Sequence, residues 1–305
     1  MRIAIIGAGG LGGYFGARLQ AAGSDVTFVA RGAHLAAIRE QGLRIKSALG
    51  DLHLAKVMAT SDPSEVGTVD MVLVCVKLWD TEAVAQQLKS LIGPETGVVS
   101  FQNGVEKDEI LVKALGAKAV LGGICYIAAT IAQPGVIQHV GTLQKLVFGE
   151  RDGTTSSRAT QFLAECQKAG IDSALSTDIR RLTWEKFAIL VGLSGTTTAT
   201  RLPIGPIRSN EKTRAFLYDV INEVVLVGRA AGVELPADYA ADRLRFVDTL
   251  PAEMTSSMHG DLKRGNRLEL PWLSGAVVQM GKQLGVPTPA NRAIADLLEL
   301  HVNGA

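Results

Sequence analysis

Along the first 175 residues, apolar positions fall into short β-branched runs separated by segments whose apolar residues recur at helical spacing. Arg2–Ile6, Asp25–Ala30, Met71–Val76, Val98–Phe101 and Ala119–Leu121 read as strands. Between them Leu11–Ala22, Ala33–Gln41, Thr81–Leu91 and Lys107–Leu115 read as helices. This alternation predicts a parallel sheet with crossover helices. From Ile124 to Phe148 the pattern changes to hairpin-like strands around a Pro134-Gly135 turn signal. A helix over Ser156–Ala169 and a short strand over Ile171–Ala174 follow. Beyond about Thr177 the strand signals stop. Trp184–Leu193, Lys212–Ala231, Pro236–Thr249, Pro271–Leu284 and Pro289–Val302 read as helices, with Gly232, Gly285 and the prolines as stops and starts. The expectation is an α/β protein: a doubly wound parallel sheet over residues 1–177, then an all-helical domain over 178–305.

Composition narrows the function classes. Lys and Arg number 31 against 30 Asp and Glu, a formal charge of +1, so the chain lacks the basic field of a nucleic-acid or membrane-surface binder. Hydrophobic residues at 47% and charged residues at 20% suit a folded globular protein. The three cysteines, Cys75, Cys125 and Cys166, are widely spaced and give neither a disulfide framework nor a zinc pattern. A reducing, cytoplasmic setting and no metal site are expected. Arg2 and the apolar run after it superficially resemble a signal peptide, but glycine fills six of the fifteen residues Ile3–Ala17 and Arg18 interrupts the run. The Ala119–Gln144 stretch lacks acidic residues, Lys and Arg, yet its glycines, proline and glutamines read as strands rather than a membrane span.

Glycine is unevenly spread. Of 33 in the chain, seven lie within the first 23 residues: Gly7, Gly9, Gly10, Gly12, Gly13, Gly16 and Gly23. The first strand runs into Gly7-Ala8-Gly9-Gly10-Leu11-Gly12 and then a helix, which is G-x-G-x-x-G in the context that gives the motif its meaning. The first glycine permits the tight turn, the second lets a pyrophosphate approach the backbone, and the third lets helix and strand pack closely. The helix N-terminus adds free N–H groups and positive partial charge. The expectation is a Rossmann-type dinucleotide site; a mere tight turn is the alternative. At the end of the second strand, NAD binders usually place an acid for the ribose 2′-OH. Here Ala30-Arg31 stands instead, and Arg31 suits the 2′-phosphate of NADP(H); a solvated surface arginine is the alternative.

With these residues in view, the sequence resembles the ketopantoate reductase (2-dehydropantoate 2-reductase) family over essentially its whole length. The landmarks are the glycine loop, Arg31, Val74-Cys75-Val76-Lys77-Leu78-Trp79, Phe101-Gln102-Asn103-Gly104-Val105, Thr183-Trp184-Glu185-Lys186-Phe187, and Ser256-Ser257-Met258 followed by Glu269. The resemblance implies an NADP-binding Rossmann domain and a helical substrate and catalytic domain. It also implies NADPH-dependent reduction of a small 2-oxo acid to a 2-hydroxy acid in the cleft between them, as in pantothenate biosynthesis. By the same resemblance Lys77, Asn103 and Ala128 line the cofactor, Lys186 is the proton donor, Glu269 lies near the nicotinamide end, and Ser257 contacts substrate. Read alone, Lys77 follows a strand at its carboxyl end, where open α/β sheets bind ligands, or is a surface lysine. Asn103 sits in a Gln-Asn-Gly turn that it also suits structurally. Lys186 shares a helix with Ile189, Leu190 and Leu193, where lost hydration eases proton donation, unless the side chain snorkels to water. Glu269 would orient that ammonium, or is a surface acid answering Lys263, Arg264 and Arg267.

The departures concentrate in one region. Family asparagines one and two turns after the catalytic lysine correspond to Leu190 and Ser194; two others correspond to Ile204 and Met254. A polar substrate group left unpaired there would cost about 1–3 kcal/mol. The cofactor machinery is retained while the substrate pocket is more apolar, with Ser194 kept as a substrate contact and Thr196, Thr197, Thr198 and Arg201 as further candidate anchors. The alternatives are an NADP-dependent dehydrogenase of a different, less polar hydroxy or oxo acid, and a non-catalytic NADP-binding redox sensor. A phosphorylated polyol substrate fits the apolar substitutions poorly. The helical domain is compatible with a homodimer.

Overall fold

The computed structural model describes residues 1–304, which fall into two compact units, Met1–Ile179 and the described residues from Arg180 onward. In the first unit the elements are β1 (Arg2–Ile6), α1 (Gly10–Ala21), β2 (Asp25–Val29), α2 (Gly32–Gln41), β3 (Leu43–Lys46), β4 (Leu52–Leu54), β5 (Met58–Thr60), β6 (Met71–Val74), α3 (Thr81–Gln87), β7 (Gly97–Ser100), α4 (Lys107–Leu115), β8 (Val120–Gln133), β9 (Val136–Glu150), α5 (Ser157–Lys168) and β10 (Asp172–Leu175). One sheet holds all ten strands. Its parallel part runs β5-β2-β1-β6-β7-β8, the 3-2-1-4-5-6 order of Rossmann-type folds. Strands β1, β6 and β7 are apolar and buried almost throughout, as strands covered on both faces must be. One core packs Ile3, Ile5, Phe15, Phe28, Leu73 and Phe148 on one face; Ala4, Ile6, Val72, Val74, Leu88 and Leu111 pack the other.

The register sets where chemistry can gather. Ile6 pairs with Val29 and with Val74, and Val74 pairs with Ser100, so these four parallel strands end level. The loops after β1, β2, β6 and β7 therefore leave one edge of the sheet together. The hairpin predicted around Pro134-Gly135 is longer than expected: β8 and β9 run 14 and 15 residues, with register shifts between Ile127 and Ala129 and between Ile131 and Gln133. Strands β3, β4 and β5 have no counterpart among the predicted elements. They are three or four residues long and are held by their neighbours in the sheet rather than by their own periodicity.

The second unit is helical throughout its described residues: α6 (Ile179–Thr200), which begins at the last residue of the first unit, α7 (Ile204–Ser209), α8 (Glu211–Ala230), α9 (Tyr239–Asp248), α10 (Ser257–Lys263), α11 (Ser274–Leu284) and α12 (Pro289–Leu298). Helix α6 corrects the shorter Trp184–Leu193 expectation. Its Thr196-Thr197-Thr198 run is β-branched, which lowers helix propensity slightly. In the helix, however, the hydroxyls of Thr196 and Thr197 donate to the carbonyls of Gly192 and Leu193 at 2.7 and 2.6 Å. Arg201, just beyond, is the non-glycine residue with positive φ (57°) among the described residues. Helix α12 is capped from a distance: the buried Glu223 carboxylate on α8 accepts from the Ala290 and Asn291 backbone N–H groups at 2.7 and 2.8 Å and from the Asn291 amide at 2.8 Å.

Candidate active site

At the level edge of the sheet the glycines separate by physical role. Gly7 has φ +99°, in the left-handed region, and a Cβ there would lie 2.8 Å from the Val76 nitrogen. A Cβ on Gly12 would lie 2.1 Å from the Gly7 oxygen and 2.8 Å from Ile5 Cγ2, so this glycine sets how closely α1 packs on β1. Gly9 differs. Its backbone is extended, and a Cβ would meet nothing within 4 Å. That open backbone at the N-terminus of α1 is space a pyrophosphate can occupy, and the residues fit one. Gly10 has a further task that sequence reasoning missed: a Cβ would strike the Ala129 oxygen on β8 at 2.1 Å, so the hairpin arm closes over the helix end. Leu11 is half-buried in the first turn of α1, and Ala8 is buried.

Two polar clamps hold these loops. The Gly135 N–H donates to His34 Nδ1 at 3.1 Å, which fixes the ring proton on Nε2, and that N–H donates to the Ala8 carbonyl at 2.8 Å. One imidazole thus ties the hairpin turn to the glycine loop, and burial holds its pKa below the usual histidine value. The buried Gln102 amide donates to the Val76 carbonyl at 2.9 Å and to Thr81 Oγ1 at 2.8 Å, and its oxygen accepts from Ser100 Oγ at 2.9 Å. Gln102 thereby couples the loop carrying Lys77 to the loop carrying Asn103. Lys77 Nζ lies 5.6 Å from the Trp79 ring centroid, and Asn103 is half-buried beside Gly104 at φ +86°. Behind that loop the fully buried Lys107 ammonium donates to the carbonyls of Ser100 and Gly123 and to Asp108, each at 2.9 Å. Loss of hydration pushes the neighbouring Glu106 carboxyl above its ordinary pKa.

Arg31 occupies the N-cap position of α2 without capping it; its side chain is 73% exposed, and its Nη2 lies 2.6 Å from Asp80 Oδ2. Ala128 is exposed on β8, at the first register shift.

In the second unit, Lys186 is half-buried on α6 beside the half-buried Ile189, Leu190 and Leu193. Glu269 is only 7% exposed, which rules out the surface-acid reading; Arg264 pairs instead with Asp261 at 2.8 Å. Ser194 is fully buried, and its hydroxyl has no hydrogen-bond partner. Ser257, exposed, begins α10. Ser256 before it accepts from the His259 N–H, and Thr197 meets that same cap at 3.2 Å between hydroxyls. His259 Nδ1 donates to the Thr197 carbonyl at 2.9 Å. The start of α10 is therefore pinned to α6 one turn beyond Ser194. Two of the apolar replacements also come together: the Ile204 N–H donates to the Met254 carbonyl at 2.9 Å, and Ile204 is fully buried. Among the described residues no group of His, Cys, Asp and Glu is gathered to hold a metal ion, and no helix is long and apolar enough to cross a membrane.

A sheet of this order with a glycine turn after its first strand defines a Rossmann-type, dinucleotide-binding class of fold. Two family models match, ketopantoate reductase PanE/ApbA over residues 3–153 and ketopantoate reductase PanE/ApbA C terminal over 178–302. A 2-dehydropantoate 2-reductase of Archaeoglobus fulgidus is 36% identical over 299 residues, covering 97% of this chain and 96% of the relative. A PanE/ApbA family ketopantoate reductase from Ralstonia eutropha has a TM-score of 0.90 at 36% identity, covering 99% of this chain and 98% of its own. A D-mandelate dehydrogenase, solved with NADH and anilino(oxo)acetate, shares the fold at 23% identity and a TM-score of 0.89, covering 99% of this chain and 98% of its own. The chain belongs to the ketopantoate reductase family and is an oxidoreductase.

Proposed function

We propose that the chain reduces a small 2-oxo acid to the 2-hydroxy acid with NADPH, as the name of its Archaeoglobus relative suggests for ketopantoate. The observation that carries this reading is the open Gly9 backbone at the N-terminus of α1, on a sheet edge that also presents Arg31, Lys77 and Asn103. In the first unit, backbone N–H groups of Gly9, Gly10 and Leu11 would receive the pyrophosphate, with Gly7, Ala8 and Gly12 shaping the turn. Arg31 would take the 2′-phosphate, and Lys77, Asn103 and Ala128 would line the remainder. When bound, the dinucleotide supplies the hydride. In the second unit, Lys186 protonates the developing alkoxide and stabilises its charge beforehand. Glu269 would orient the Lys186 ammonium, in the role near the nicotinamide end that the resemblance implies, and Ser194 and Ser257 would offer hydroxyls to the substrate.

The test follows NADPH absorbance with ketopantoate and a panel of 2-oxo acids. Turnover is expected, and Lys186→Ala should lower kcat by about 10²–10⁴-fold while NADPH affinity stays within about threefold of wild type. NADPH binding without oxidation by any acid of the panel would favour the redox sensor and overturn this reading. A second reading, a different and less polar acid as substrate, draws on Leu190, Met254 and the buried Ile204. It is favoured if kcat/KM for 2-oxo acids with hydrocarbon side chains exceeds that for ketopantoate. A homodimer and a cytoplasmic setting belong to the same proposal, checked by light scattering and cell fractionation.

A further inference from the structure

Arg31 is held. Its exposed guanidinium meets the Asp80 carboxylate at 2.6 Å, across 49 residues of sequence, and Asp80 is itself 25% exposed. Asp80 stands at the N-cap position of α3, where an aspartate ordinarily accepts from the first free N–H groups. It makes no such bond: the side chain leaves its own helix uncapped and reaches Arg31 instead. The neighbouring strand end, after β5, supplies Asp62 and Glu65 rather than a second cation. The end of β2, where dinucleotide folds discriminate a ribose hydroxyl from a ribose phosphate, thus presents an acid–base pair rather than a bare cation.

We propose that Asp80 is a specificity-determining residue that sets how strongly this chain prefers NADPH over NADH, the carboxylate opposing a 2′-phosphate and offering a 2′-hydroxyl an acceptor. The inference rests on the dinucleotide reading above. A phosphomonoester carries nearly two negative charges at neutral pH. One guanidinium shared between it and Asp80 leaves two anions within a few ångströms of each other, at an exposed site where their repulsion is worth on the order of tenfold in affinity. A ribose hydroxyl carries no charge and donates to a carboxylate. Asp80 therefore supplies, from the turn after β6, the acid that other folds of this class place at the end of β2. The chain is expected to bind both dinucleotides with a modest preference for NADPH.

The test is a fluorescence titration of the full-length protein with NADPH and with NADH. It is repeated by calorimetry with adenosine 2′,5′-bisphosphate and with AMP, which lack nicotinamide and report binding without turnover. Asp80→Asn should tighten NADPH and adenosine 2′,5′-bisphosphate about tenfold and weaken NADH, while Asp80→Glu should keep the wild-type ratio within about threefold. Thermal melts accompany each variant, and Asp80→Ser replaces Asp80→Asn if the latter does not fold. A ratio of the two affinities unmoved by Asp80→Asn, or equal weakening of both ligands, overturns the inference and leaves the dinucleotide reading standing. Failure of the wild type to bind either dinucleotide overturns both.

Discussion

The level edge of the sheet in the first unit and the α6 surface in the second differ in what constrains their residues. At the sheet edge, Gly7 and Gly12 are fixed by geometry that leaves no room for alternatives: a positive φ in one case and a neighbour 2.1 Å from the missing Cβ in the other. On α6 and the segments pinned to it stand Leu190, Ser194, Ile204 and Met254, the positions where the resemblance implies amides. The helical unit accommodates them, with Ile204 on α7 buried and Ser194 on α6 buried without a partner. Steric requirements set by the protein's own backbone tolerate no drift. A pocket that recognises one acid among many can be relined without disturbing the helices that carry it.

Five experiments break or sharpen that contrast. Gly12→Ala gains about 1 kcal/mol of helix propensity, but its methyl meets backbone oxygen, and overpacking costs about 1–3 kcal/mol or more. A fall in Tm with lost NADPH affinity is expected. Gly9→Ala meets no neighbour and should keep the wild-type Tm while weakening NADPH at least tenfold, so equal melts with equal affinities in titration would remove Gly9 from the pyrophosphate site. In the second unit, Glu223→Ala strips a buried carboxylate from three donors and should cost about 3 kcal/mol in urea unfolding, with NADPH affinity unchanged. Ser194→Ala removes a hydroxyl that has no partner, so stability should hold or rise by up to about 1 kcal/mol, while KM for the 2-oxo acid rises; an unchanged KM would take Ser194 out of the pocket. The smallest effect concerns pH. His34 has a folded pKa below its unfolded value of 6.5, so its contribution is present above pH 6.5 and fades as pH falls through the lowered folded value. Thermal melts between pH 7.5 and 5 should show that loss, and His34→Gln should flatten it.

The parts legible in sequence were those written locally. β1, α1, β2 and α4 follow from apolar period and glycine placement within a few residues, and so do the tight turn at Gly7 and the close packing at Gly12. What escaped depends on partners far along the chain. Strand β4 is three residues held by pairing with β3, and α6 reaches Thr200 through threonines whose hydroxyls bond back to their own helix. The His34 ring receives a bond from Gly135, 101 residues away, and Glu223 caps a helix 67 residues on. No local pattern announces such bonds. The glycine at position 10 belongs to the same class, since the Ala129 carbonyl that excludes a side chain there arrives with β8.

That last contact orders events during synthesis. Gly10 and Gly13 close against Ala129 and Ile137, so the first helix leaves the ribosome long before its covering arm exists. At about 5–20 residues per second, on the order of ten seconds separates the two. During that interval a glycine-rich helix N-terminus stands open to solvent and to other nascent chains. The hairpin that completes it draws together segments more than a hundred residues apart, which makes its docking a late, slow step in the folding of the first unit.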